Sequence, residues 1–102
     1  MSDANKNEEK KYELKLTNRF KKHLKLVAKR NKEHVKKIHE TVELLQKGQQ
    51  LPERYSDHEL SGNYIGNREC HVLPDLLLIY KIFNEVLILE LIDTGTHSDL
   101  FG

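Results

Sequence analysis

His58, His71, Asp75 and His97 are the side chains of this sequence whose types could do chemistry together. They come from four segments: SDHEL, RECHV, LPD and TGTHSDLFG. If the strands between them pair antiparallel and the C-terminal segment folds back, the four converge on one open sheet face. Such a cluster suits acid–base work, because an imidazole titrates near pH 6.5 and offers both protonation states around neutrality. Scission of an RNA strand needs a base for the 2′-OH proton, an acid for the 5′-oxygen leaving group, and positive charge against the crowded phosphate. Histidines supply all three without a metal, and the internal 2′-OH nucleophile restricts the reaction to RNA. Two other readings stand beside this one. Three histidines and an aspartate could ligate zinc or iron, but the compact spacings HxxxH and CxxC are absent. Or the four are ordinary surface and capping residues.

The elements that must position these groups follow from periodicity. At 102 residues the chain is expected to form one domain, residues 12–102, behind a flexible polar tail at 1–11. YELKL (12–16) alternates apolar and polar side chains, a half-buried strand. Thr17 or Asn18 then caps a helix with the apolar stripe Phe20, Leu24, Val27 and Ala28. A second helix over 32–46 buries Val35, Ile38, Val42 and Leu45 and stops at Gly48. The junction near Asn31 is so tight that the two helices must form an antiparallel hairpin. LPERYSDHELSGNYIG (51–66) reads as a loop. Strands are expected at 68–72, at 76–83 (apolar on both faces, hence central) and at 86–93, with a turn at 73–75. The predicted fold is α+β: an N-terminal strand, then a two-helix hairpin packed on a four- or five-stranded, mainly antiparallel sheet.

Charge divides the chain. Residues 1–50 carry 14 Lys/Arg against 7 Asp/Glu, and residues 51–102 carry 3 against 9. A basic front and acidic back fit a polyanion partner at one face, or simply a lysine-rich helical surface. Cys70 is alone, so no internal disulfide is expected, and the polar N-terminus has no secretory signal pattern. The most apolar run, 76–92, is broken by Lys81, Asn84, Glu85 and Glu90, too polar for a membrane span. A cytoplasmic protein is expected, with no membrane partner. His23, His34 and His39, on the helices, read as boundary positions of a basic surface.

The ordered series DHELSG, NRECHVLPDLLLIYK and GTHSDLFG resembles the YafQ branch of the RelE-like bacterial toxins, the mRNA interferases of type II toxin–antitoxin pairs. The resemblance spans about residues 12–102 and rests on D-H-x-L-x-G, R-x-x-H-V-x-P-D-x-x-L-I-Y and G-T-H-x-x-L-F-G, in that order. It implies the RelE-like microbial ribonuclease fold and a ribosome-dependent endoribonuclease that cuts mRNA in the A site. The implied partners are a cognate antitoxin, mRNA and the 70S ribosome with its rRNA; no cofactor and no metal is implied. It places the catalytic set on His58, His71, Asp75 and His97, with Phe101 packed near the site. His58 or Asp75 would be the base and His97 the acid, or the two labels exchanged, with His71 the group that steadies the phosphorane. Arg68 matches the pattern, yet strand alternation puts it opposite His71, as a structural or antitoxin-facing residue or a phosphate contact. Lys21, Lys22, Lys25, Lys29, Arg30, Lys36 and Lys37 would face rRNA, or only keep the helices solvated. Distant RelE-type members use arginine, lysine and tyrosine instead, so their mechanism does not transfer. Leu76 stands where the branch often has an aromatic residue, which removes an expected base-stacking contact. A ribosome-independent ribonuclease and a non-enzymatic binding module remain as alternatives. In the C-terminal segment Gly95 is expected to turn the chain back, with Leu100 and Phe101 as anchors.

Overall fold

The alternation at the start of the domain forms a strand, β1 (Glu13–Leu16), in a computed structural model that describes residues 10–102. Residues 1–9 of the expected tail lie outside the described residues. Thr17 ends the strand and starts helix α1 (Asn18–Arg30). Its hydroxyl accepts from Phe20 N–H at 3.0 Å and donates to Ile92 O at 2.7 Å, so the cap also ties the helix to the sheet. Asn31 serves two helices at once. Its N–H donates to Val27 O at the end of α1, and its side-chain oxygen accepts from Glu33 N–H at the start of α2 (Lys32–Gln46). One residue at the junction enforces the antiparallel hairpin. Gly48 stops α2 at φ +79°, where a side chain would be strained and a Cβ would crowd Lys11.

The remaining strands are β2 (His58–Glu59), β3 (Arg68–Leu73), β4 (Leu76–Phe83) and β5 (Ile88–Gly95), in the spatial order β1-β5-β4-β3-β2. Pairing is antiparallel from β2 to β5, while β1 lies parallel to β5, with Glu13 opposite Ile88 and Leu16 opposite Leu91. The sheet is therefore five-stranded and mixed, with β4 at its centre as its two-faced apolarity required. One expectation needs correction. His58 was placed in a loop but lies in the short edge strand β2, opposite Glu69. The C-terminal segment, to which no secondary structure was assigned, forms a one-turn helix, α3 (His97–Phe101).

The helices cover one face of the sheet, where Phe20, Val27, Ile38 and Val42 pack on Leu78, Tyr80, Leu89 and Leu91. Leu76 belongs to this core too, so position 76 does not reach the other face. On that other face Leu77 and Ile79 are fully buried and pack with Leu100 of α3, flanked by Leu60, Tyr64 and Ile92. Cys70 lies under the helices; burial first, then the nearby carboxylates, pushes its thiol up to about 12, which leaves it unreactive. Among the described residues no helix is long and apolar enough to cross a membrane.

Asp93 is the largest departure from the expected core, being a carboxylate with 0% exposure. Arg19 Nε lies 2.6 Å from Oδ2, His23 Nδ1 lies 2.6 Å from Oδ1, and Thr94 N–H donates to Oδ1 at 2.8 Å. His23 is thus a partner of a buried acid rather than a surface boundary residue. A buried charge persists only when it is paired and hydrogen-bonded in this way. Asp93 sits at a register shift, where Ile79 pairs with Asp93 and Tyr80 with Leu91, leaving Ile92 as an extra residue on β5.

Candidate active site

The face covered by α3 gathers the four candidate residues at its rim. Glu69 and His71 alternate onto this face of β3. His58 joins them because β2 pairs it directly opposite Glu69. Glu69, with a side chain 8% exposed, stands between the two histidines: its Oε1 is 3.5 Å from His58 Nε2 and 3.9 Å from His71 Nε2. The other nitrogen of each ring meets a main-chain oxygen. His58 Nδ1 lies 2.7 Å from Ser56 O and His71 Nδ1 3.4 Å from Pro74 O. Since a carbonyl only accepts, the His58 contact fixes the Nδ1–H tautomer and leaves Nε2 for proton transfer.

The second half of the cluster comes from the β3–β4 turn and α3. Asp75 Oδ1 accepts from His97 twice, from ring Nδ1–H at 2.9 Å and from backbone N–H at 3.2 Å. The ring bond first, then the backbone bond, holds the Asp75 carboxyl below its ordinary value. The His97 ring is 56% exposed and lies 6.1 Å from the His71 ring, centroid to centroid. Phe101 is 6.4 Å from His97 on its other side and meets Tyr64 edge-on at 5.9 Å.

Helix α3 is held by more than its apolar residues. Thr96 and Asp99 form a capping box. Asp99 also takes both terminal nitrogens of Arg30, at 2.7 and 3.0 Å, and these bonds hold its carboxyl well below the usual carboxylate range. Gly95 (φ +143°) allows the approach, since a Cβ there would lie 2.7 Å from Asp99 Oδ2. Of the two expected anchors only Leu100 is buried, at 5% exposure; Phe101 is 51% exposed and so presents its ring instead of anchoring. Arg30, expected to face rRNA, is committed to Asp99.

Arg68 lies on the opposite face, as alternation required. Its guanidinium bonds Asp57 and approaches Glu59 at 3.6 Å, and Asp57 accepts the Tyr80 hydroxyl as well. Burial first, then the bond to Asp57, pushes the Tyr80 hydroxyl above its ordinary value, so it stays a donor. Arg68 therefore braces the loop before β2, and through it His58. Lys21, Lys22, Lys25, Lys29, Lys36 and Lys37 are all exposed on the helical side. Two residues of the cluster escaped the sequence reading, Glu69 and Tyr64. Glu69 had a legible signal: it is two residues before His71, hence on the same strand face. Tyr64, in an irregular segment, had none.

The family model described as bacterial toxin of type II toxin–antitoxin system, YafQ, matches residues 12–102. The mRNA interferase toxin YafQ of Escherichia coli K12 is 38% identical over 90 residues, covering 88% of this chain and 96% of the relative. The crystal structure of the E. coli DinJ–YafQ complex superposes with a TM-score of 0.79 at 37% identity, over 89% of this chain and 99% of the other. A metal-bound toxin from Helicobacter pylori gives a TM-score of 0.80 at 37% identity, over 88% and 99%. In the present chain no group of three or more His, Cys, Asp or Glu side chains among the described residues is placed as a metal-ligand set. By the family match and the identity to its E. coli relative, the chain belongs to the YafQ family, the mRNA interferase toxins, endoribonucleases, of bacterial type II toxin–antitoxin systems.

Proposed function

We propose that the chain is a ribosome-dependent endoribonuclease that cuts mRNA in the ribosomal A site by metal-independent attack of the 2′-OH, and so inhibits translation. The observation that carries this reading is a pair of imidazoles, each with Nδ1 taken by an oxygen, Ser56 O for His58 and Asp75 Oδ1 for His97, on one rim. Each keeps its Nε2 for proton transfer. His58 takes the 2′-OH proton, and Glu69, 3.5 Å away, steadies the imidazolium that results. The 2′-oxygen bonds to phosphorus and the bond from phosphorus to the 5′-oxygen breaks. His97 gives its Nε2 proton to that oxygen, leaving a 2′,3′-cyclic phosphate and a 5′-hydroxyl. Asp75 orients His97 through the two bonds its Oδ1 accepts. His71, between the base and the acid, stabilises the phosphorane. The half-exposed ring of Phe101 offers a face for a base of the mRNA.

The test is to map cleavage ends on an mRNA with and without programmed ribosomes, in the presence of a chelator. Discrete in-frame cuts that need the ribosome and survive chelation support the whole reading. Equal cutting of naked RNA makes the protein a ribosome-independent ribonuclease, no cutting makes it a binding module, and loss on chelation makes the reaction metal-dependent.

A cognate antitoxin is the expected protein partner, as DinJ is of the E. coli relative. The exposed lysines of α1 and α2 supply salt-dependent attraction to rRNA. Replacing Lys21, Lys22 and Lys25 with glutamate should weaken ribosome binding and lower the slope of log K against log salt by about 2–3, at 0.7–0.9 per phosphate contact. An unchanged slope in a binding titration removes the lysines from the interface.

A further inference from the structure

Beside His71 a cleft of about 490 Å³ is lined by Arg54, Ser56, His71, Val72, Leu73 and Pro74. It runs along a bare strand edge, because β2 pairs only with Arg68 and Glu69 and leaves β3 from Cys70 onward without an outer neighbour among the described residues. Its volume falls in the range of about 300–1,000 Å³ usual for small-ligand sites. Its lining is mixed in kind, with the apolar Val72, Leu73 and Pro74 beside the basic Arg54.

Arg54 is not an ordinary surface cation. Its guanidinium lies 4.3 Å over the Tyr55 ring, and one terminal nitrogen donates to the Tyr55 hydroxyl at 3.0 Å. Tyr55 is itself buried at 5% exposure, so the platform is fixed. The guanidinium is held in one place without being neutralised, for among the described residues no carboxylate pairs with it. This contrasts with Arg19, Arg30 and Arg68, each of which meets an aspartate. A planar guanidinium with free donors, ordered in advance, matches a phosphate in geometry and loses little entropy on binding it.

We propose that this cleft is a subsite for the nucleotide adjoining the cleavage site of the mRNA, with Arg54 bonded to its phosphate and the apolar wall against its base. His71 joins the two sites: its Nε2 lies 3.9 Å from Glu69 Oε1, and the same residue lines the cleft. Arg54 thereby sets the register of the strand, so that the scissile phosphate comes to rest between His58 and His97. The assignment rests on the proposed mRNA cleavage.

The experiment measures single-turnover cleavage on programmed ribosomes. The mRNA is either native or carries one neutral methylphosphonate at the linkage on the 5′ or the 3′ side of the scissile phosphate. The parent protein should lose about 10–100-fold at one of the two positions, the range for a charge-assisted hydrogen bond. Arg54→Ala should lose a similar factor on native mRNA and be indifferent to that neutral linkage, the mark of a coupled pair. Arg54→Lys should recover part of the native rate. If Arg54→Ala cuts native mRNA like the parent, or stays as sensitive to the neutral linkage, the subsite is wrong. If Arg54→Ala instead weakens binding to empty ribosomes by the same factor, Arg54 contacts rRNA and the subsite is again wrong. A parent protein that cuts no mRNA at all would overturn the activity itself and the subsite with it.

Discussion

Replacing His97 with alanine is expected to lower mRNA cleavage on programmed ribosomes by about 10²–10⁴-fold, the usual contribution of a positioned general acid or base. Growth arrest on induction should be relieved in parallel, while the folded protein survives, because the side chain is more than half exposed and buries no core surface. Asp75→Asn is the companion variant. An amide keeps the shape but turns either a weaker acceptor or a donor toward His97 Nδ1, so ring orientation is lost and activity falls by a smaller factor. The pH profile separates the roles further. Asp75 is held below its ordinary value by the His97 ring, so its hold on that ring is present above the ordinary carboxylate value near pH 3.9 and is lost only as pH falls through the lower folded value. An acidic limb in kcat/KM that lies well above pH 4 therefore belongs to a group other than Asp75. If His97→Ala arrests growth as efficiently as the parent, His97 is not the acid.

The sequence carried the local structure further than the tertiary one. Spacing of apolar residues located both helices, and the bounds of α2 (Lys32–Gln46) are those expected. The two-sided apolarity of β4 placed it at the sheet centre, and the order of the histidine-bearing motifs selected groups that do meet on one rim. Strand alternation set Arg68 apart from His71 correctly. What escaped depends on partners distant in sequence. The parallel pairing of β1 with β5 leaves no mark in five residues of alternation, since the period of two is the same for either direction. Asp93 reads as a strand end because only α1, some 70 residues earlier in the chain, supplies its Arg19 and His23 partners. Helix α3 is too short for a 3.6-residue period to appear, although Thr96 and Asp99 do stand at capping-box spacing. Leu100 and Phe101 are equally apolar as letters; the turn of α3 decides that one faces Leu77 and Ile79 while the other faces solvent.

That division between Leu100 and Phe101 makes deletion of residues 100–102 the sharpest test of how the site is built. Cleavage should fall by more than about 100-fold, whereas the thermal midpoint should move little. The reasoning is a balance of two local quantities. Burying Leu100 against Leu77 and Ile79 contributes roughly 1.5–3 kcal/mol. The entropy of ordering the segment opposes this gain, while the capping box and the Arg30–Asp99 bonds add to it. Docking of α3 is thus a small net gain, so its loss subtracts little from the stability of the sheet and helical hairpin. The same smallness means that removing Leu100 tips the docking equilibrium over. Without docking, the Asp75–His97 bond has no frame to hold it near His71. Leu100→Ala should act in the same direction with the backbone intact, and acid should act likewise: the depressed Asp99 carboxyl contributes docking stability above about pH 3.9 that is lost as pH falls through its lower folded value. A truncated protein that cleaves at the parent rate would show that His97 reaches the substrate without its helix. A collapse of the thermal midpoint would instead make α3 part of the core, and the loss of cleavage would then say nothing about positioning.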